Sequence, residues 1–197
     1  MGGKCRRLGR DKALERVGDK SLLERVLSTL SRLGDEIILV TASKYLLPNP
    51  ARHPRLRKTT DIYPEKGPLG GIYTGLATSR APYSLIVACD MPFLNRRLLQ
   101  YMVGLAKNYD LVVPRVGRLV EPLCAVYSKH CLEPIEYLLR QGNLGVRSLF
   151  DLIKVRYVEV EEIDRFDPEH LSFLNVNTEA DLERAKRLAG DPKRCSV

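Results

Sequence analysis

Two unbroken apolar runs constrain the fold most strongly: EIILVT at 36–41 and YSLIVACD at 83–90. Each has the length of a strand and neither alternates, so both faces of each strand have to be buried. That is the signature of a sheet covered by helices on both sides. Residues 21–33 supply such a helix, with apolar positions at 22, 23, 26, 27, 30 and 33 and Ser21 placed to cap it. A basic, Pro-rich loop follows the first run. Beyond the second run the sequence predicts a helix over 95–107, a strand over 110–114 and a short strand over 121–127. Then come a helix with Pro134 in its first turn reaching Arg140, a brief helix over 146–153, a strand over 155–160 and a last helix over 179–188. The alternation predicts one three-layer α/β/α domain over residues 1–197, with a mainly parallel sheet. Ligands of such sheets bind where loops leave the carboxyl ends of the strands.

Charge and cysteine content narrow the function classes. The net charge of +8 implies an acidic partner. The basic residues are scattered, there is no Trp and there are only four Phe, so the stacking surface of a nucleic-acid binder is not indicated. The basic cluster over 52–58 reads as solvated surface. No apolar run approaches the ~20 residues of a membrane span, and no apolar leader opens the chain. Five cysteines without a CxxC pair indicate neither a disulfide framework nor a zinc site. A cytoplasmic protein with reduced thiols is expected.

Three stretches at predicted strand or helix ends carry chemistry. In GGKCRRLGRDK, the paired glycines Gly2 and Gly3 let backbone amides approach a phosphate closely. Arg7 and Lys12 would supply fixed positive charge to a triphosphate. The spacing matches neither a P-loop nor GxGxxG, and in isolation a basic tail is the alternative reading of the stretch. Asp61 and the stretch Gly67-Pro68-Leu69-Gly70-Gly71 form a second glycine loop entering a helix, whose N-terminus can take a base or phosphate edge, or which is plain punctuation. Asp90, in ACDMP, sits at the carboxyl edge of the sheet, as a Mg²⁺ ligand beside phosphates or as a helix cap. Asn175 and Asn177, in NVNTEADL, precede the last helix, which Asn177 or Thr178 can cap. The three histidines fall in loop or helix-edge contexts, and no Ser/His/Asp arrangement is apparent.

Taken in order, GGKCRRLGRDKAL, Asp61 with GPLGGI, ACDMPFL, EPLCAVY and NVNTEADL resemble the molybdenum cofactor guanylyltransferase family from Gly2 to about Leu188. The first motif is shared with many nucleotidyltransferases and gives the reaction class. GPLGG, CDMP and EPL narrow it to the molybdopterin branch. The resemblance implies a Rossmann-like, GT-A-type fold and Mg²⁺-dependent transfer of GMP from GTP to molybdenum-bound molybdopterin, with pyrophosphate released. It implies a nucleotide site containing Gly2, Gly3, Lys12, Asp61 and the loop of Gly67, Pro68, Leu69 and Gly70. Arg7 and Lys12 would act on the phosphates, and Asp90 would hold the metal. Glu121, Asn175 and Asn177 would face the acceptor, so that the N-terminal part binds nucleotide and the C-terminal part the acceptor. Molybdoenzymes or other cofactor-biosynthesis proteins would be transient partners. No protein nucleophile or general base is needed, because an acceptor phosphate oxygen is already ionised.

Two departures bear on these expectations. After the first strand the family often carries an Asn near the nucleotide, where this chain has Ser43 within Thr41-Ala42-Ser43-Lys44. This leaves a molybdopterin cytidylyltransferase or a cobinamide-phosphate guanylyltransferase as alternatives. The family also places a buried strand directly before the two glycines, where this sequence has only Met1. The natural protein is therefore expected to begin upstream. A non-catalytic nucleotide- or cofactor-binding protein is the reading if that strand is truly missing.

Overall fold

A computed structural model describes residues 12–34, 36–42 and 55–190. A short hairpin, β1 (Arg16–Val17) and β2 (Lys20–Ser21), turns at Gly18 with φ of 68°. It leads directly into α1 (Leu22–Leu30). Ser21 caps this helix by accepting from the Glu24 amide, and Glu24 returns a bond to the Ser21 amide in a full capping box. Next come β3 (Ile37–Thr41), β4 (Leu56–Thr60), α2 (Gly67–Thr78), β5 (Tyr83–Val87) and α3 (Arg96–Gly104). The remainder is β6 (Leu111–Val116), β7 (Leu119–Val120), β8 (Cys124–Ser128), α4 (Leu132–Arg140), β9 (Val155–Val158), α5 (Val160–Ile163) and α6 (Glu179–Ala189).

The larger sheet has the order β5-β8-β6, with β7 and β9 both paired to β6. Strands β5, β6 and β9 run in one direction and β8 runs against them. Strands β3 and β4 pair in parallel, Ile37 opposite Leu56 through Thr41 opposite Thr60. Side chains of the larger sheet divide cleanly between two cores. Leu111, Val113, Ala125 and Tyr127 pack with Leu69, Ile72 and Leu76 of α2 and with Ile135, Leu138 and Leu139 of α4. Val112, Cys124, Val126 and Val158 face the other way, onto Leu98, Leu99 and Met102 of α3 and Val26 of α1. Helices on both faces explain why these strands do not alternate apolar with polar. No helix among the described residues is long and apolar enough to cross a membrane.

Four local expectations are corrected. Residues 56–60 are strand β4, not loop, because their main chain pairs with β3 rather than because LRKTT is apolar. The basic residues there are not all merely solvated: Arg57 meets Glu36 at 3.3 Å and donates to the Thr78 carbonyl at 2.7 Å. The helix expected over 146–153 is only a 3₁₀ turn, Val146–Leu149. The last strand stops at Val158, since Glu159 and Glu162 form a capping box that opens α5.

Candidate active site

Lys12 opens a 3₁₀ turn, Lys12–Leu14, anchored by Ala13, which is buried against Leu23, Leu27, Ile37 and Leu39. The anchor aims Lys12 at the segment following β5, where Asp90 lies three residues beyond the last strand residue, Val87. The Lys12 ammonium meets Asp90 Oδ2 at 2.6 Å and also donates to Asn177 Oδ1 at 2.8 Å. The lysine side chain is only 12% exposed, so this ion pair is screened far less than a surface pair. The Val176 amide donates to the Asp90 carbonyl at 3.0 Å. The segment preceding α6 therefore grips both partners: Val176 by main chain on Asp90, Asn177 by side chain on Lys12.

Asp90 Oδ1 is buried and has no hydrogen-bond partner among the described residues. Nearby, burial pushes the Glu121 carboxyl above the usual carboxylate range; the Arg147 guanidinium opposes this rise and the Asp90 charge adds to it. Glu121 is held between β7 and β8 by its amide, which donates to the Pro114 carbonyl at 3.2 Å. The site thus combines a fixed cation, a carboxylate with one engaged and one unengaged oxygen, and a second carboxylate within electrostatic reach. Among the described residues no three His, Cys, Asp or Glu side chains gather as a metal cluster. A cation here would take Asp90 Oδ1 from the protein and most of its remaining ligands from phosphate and water, as Mg²⁺ does in nucleotide sites.

The second glycine stretch forms the start of α2. Gly67 has φ of 65°, a left-handed conformation that glycine adopts without strain. Pro68 occupies the first turn, and no side chain caps the helix. A Cβ on Gly70 would lie 2.7 Å from the Tyr63 carbonyl oxygen, whereas among the described residues nothing lies within 4 Å of that position on Gly71. Gly70 therefore serves close packing. Leu69 is wholly buried, main chain and side chain alike, and its side chain belongs to the core.

Asp61 likewise serves the scaffold. Its Oδ1 accepts from the Tyr63 amide at 3.0 Å and from Thr74 Oγ1 at 2.8 Å, and the Ile62 amide donates to Thr74 Oγ1 at 2.9 Å. These bonds hold the turn that delivers the chain to α2. Thr178, not Asn177, caps α6, which frees the Asn177 side chain for Lys12. Asn175 donates to the Phe173 carbonyl at 3.3 Å and so is used locally. His130 lies 3.4 Å from Asp110 and His170 lies 2.6 Å from Asp164. Gly2, Gly3, Arg7 and Ser43 lie outside the described residues. Sequence reasoning did not find Thr74, Arg147 or Asp181, whose Oδ2 accepts from the Asn177 amide at 3.0 Å. Only Asp181 left a trace in the sequence, as the acid three residues after the capping threonine.

Residues 1–160 match the sequence profile of the MobA-like NTP transferase domain. A probable molybdenum cofactor guanylyltransferase of Pelotomaculum thermopropionicum is 38% identical over 95% of this chain and 90% of its own length. The probable molybdenum cofactor guanylyltransferase of Methanosarcina mazei is 40% identical over 92% of this chain and 85% of that protein. Among solved structures, molybdopterin-guanine dinucleotide biosynthesis protein A from Archaeoglobus fulgidus superposes with a TM-score of 0.78. It is 27% identical, over 95% of this chain and 94% of that one. The 2-C-methyl-D-erythritol 4-phosphate cytidylyltransferase of Thermus thermophilus shares the fold at a TM-score of 0.70 and 19% identity, over 90% of this chain and 93% of that one.

Proposed function

The chain belongs to the MobA-like NTP transferase family, and from that premise we propose that this nucleotidyltransferase moves GMP from GTP to the terminal phosphate of molybdopterin. The acceptor already carries molybdenum: a phosphate oxygen of molybdenum-bound molybdopterin attacks the α-phosphorus of GTP, the bond from that phosphorus to the bridging α–β oxygen breaks, and pyrophosphate leaves with the bonding pair. The guanine dinucleotide form of the molybdenum cofactor results. Support for the acceptor and the base comes from the names of relatives 38% and 40% identical over more than nine-tenths of this chain.

The observation that carries the chemistry is the Lys12–Asp90 pair, with Asp90 Oδ1 buried and without a donor among the described residues. Such an oxygen suits a Mg²⁺ that comes with the triphosphate, and the bound ion would neutralise charge on the phosphates. Lys12 binds the triphosphate and holds its positive charge where negative charge moves towards the leaving pyrophosphate. The start of α2, where no described side chain forms a cap, would turn the Gly67 amide and the positive end of the helix to a phosphate or base edge. Glu121, whose carboxyl pKa burial raises, and Asn175 are assigned to the acceptor side by the family resemblance. Gly2, Gly3, Arg7 and Ser43 are proposed to complete the nucleotide site.

Pyrophosphate release with molybdopterin tests the reading, with GTP, CTP and ATP offered separately and Mg²⁺ present or removed by chelation. Release with GTP and Mg²⁺ alone is expected. A preference for CTP would reassign the base, and no release with any nucleotide despite GTP binding would make the chain a binding protein.

A further inference from the structure

Asp181 lies on α6, and its Oδ2 has three donors within 3.0 Å. The Thr178 amide and the Thr178 hydroxyl are both at 2.8 Å, and the Asn177 amide is at 3.0 Å. The first two belong to an ordinary capping box, in which the acid three residues on reaches back to the cap. The third does not. Asn177 precedes the cap, and the helix has no need of its amide. What that bond fixes is the main chain of the residue whose side-chain oxygen holds Lys12 at 2.8 Å. The helix behind it is well seated, with Leu182 and Ala185 buried against Val17, Leu22 and Val176.

We propose that Asp181 is a positioning residue for the nucleotide site: by fixing the Asn177 backbone it orients the amide oxygen that aims the Lys12 ammonium. The proposal rests on the reading of Lys12 as a triphosphate contact. Asp181 reaches Lys12 by a second route, through charge. Its carboxyl is held below the ordinary range first by the Thr178 hydroxyl, with burial opposing, then by the Thr178 and Asn177 amides, and the Lys12 ammonium adds to the effect. A long lysine stem loses much rotamer freedom when fixed, so holding it before the ligand arrives favours binding.

The test separates positioning from capping, using the full chain with GTP titrations and thermal unfolding in Mg²⁺ buffer. Thr178→Ala removes the cap but leaves the Asp181–Asn177 bond. Asp181→Ala removes that bond and the carboxylate half of the capping box, while the Thr178 hydroxyl can still accept from the residue-181 amide. Both variants should melt earlier, but only Asp181→Ala should weaken GTP binding, by about fivefold to tenfold, within the usual range for coupled neighbours. Asp181→Asn keeps an acceptor oxygen and should recover most of that loss. In a Lys12→Ala background, Asp181→Ala should add no further loss. Equal weakening by Thr178→Ala and Asp181→Ala, or an undiminished Asp181 effect without Lys12, would overturn the proposal. GTP binding by Lys12→Ala as tight as wild type would overturn the reading of Lys12 itself, and the proposal with it.

Discussion

Replacing Thr74 by valine isolates the bonds that hold the turn in front of α2. The two side chains have nearly the same volume and helix propensity, so packing and backbone preference barely change. What is lost is one hydroxyl, buried at 0% exposure, which donates to Asp61 Oδ1 at 2.8 Å and accepts from the Ile62 amide at 2.9 Å. A hydrogen bond to a charged group is worth about 1.5–3 kcal/mol. A buried amide left without an acceptor costs about 1–3 kcal/mol, with the low end applying here because Ile62 is 54% exposed. Asp61 keeps the Tyr63 amide at 3.0 Å, which limits the first contribution. The sum is about 3 kcal/mol, and for a chain of this size each kcal/mol lowers Tm by about 2–4 °C. Thr74→Val should therefore melt about 6–12 °C early, and urea titration should give the same loss with an unchanged slope. Thr74→Ser keeps the hydroxyl and should lose only about 1 kcal/mol, for a buried methyl. A Thr74→Val protein within 0.5 kcal/mol of wild type would refute the argument that these two bonds fix the turn.

Three further outcomes follow from the same structure. Asp90→Asn should cut pyrophosphate release at least 100-fold while leaving the far-ultraviolet spectrum intact, since a preorganised charged group is typically worth that much; the same change should lower the Glu121 pKa, because it removes one of the charges raising it. Ser21→Ala should destabilise the fold by about 1 kcal/mol through loss of the α1 cap, measured by urea unfolding. Burial pushes the Cys124 and Cys131 thiols up to about 12, from 9 in an ordinary setting, so both should resist thiol reagents at pH 8 until the chain unfolds. Because their folded pKa lies above the unfolded value, their contribution to stability is complete below pH 9 and fades as pH rises towards 12. The loss should be about 1.4 kcal/mol per pH unit for each thiol, read as a falling urea midpoint.

What the sequence reveals and what it hides divide by physical range. The α1 cap is legible because Ser21 and Glu24 are three residues apart and act on one turn. The apolar runs are legible because burial on both faces leaves no alternation to misread, and Gly67 because a left-handed residue favours glycine. Strand β4 is hidden, since LRKTT has exposed polar side chains and is made a strand by its pairing with β3. Leu69 shows the limit of motif reading: its place in GPLGG suggests a ligand, yet the whole residue is buried and its side chain fills the core. The structural bonding of Asp61 is hidden for a related reason, because Thr74, its partner thirteen residues on, carries no sign of the bond in its surroundings. Lys12, Asp90 and Asn177 could be chosen as residue types at element ends, but nothing in their spacing says that one ammonium joins the other two.

That junction ties the chain together. Lys12 is 78 residues from Asp90 and 165 from Asn177, so the contact closes only after β5 is in the sheet and α6 has docked. Neither bond is local in sequence, and their two ends are seated in different packed units: Ala13 in the α1–β3 core for the lysine, Leu182 and Ala185 for the segment before α6. A destabilised α6 should thus harm the site before it harms the larger sheet, since α6 contributes nothing to the two cores that flank β6 and β8. The charge balance points the same way. Without α6, Lys12 keeps its carboxylate partner but loses the neutral oxygen that fixes its direction, and a cation aimed by one contact reaches a phosphate less often than one aimed by two. The part of the chain farthest from Lys12 in sequence is therefore what makes Lys12 a defined charge rather than a mobile one.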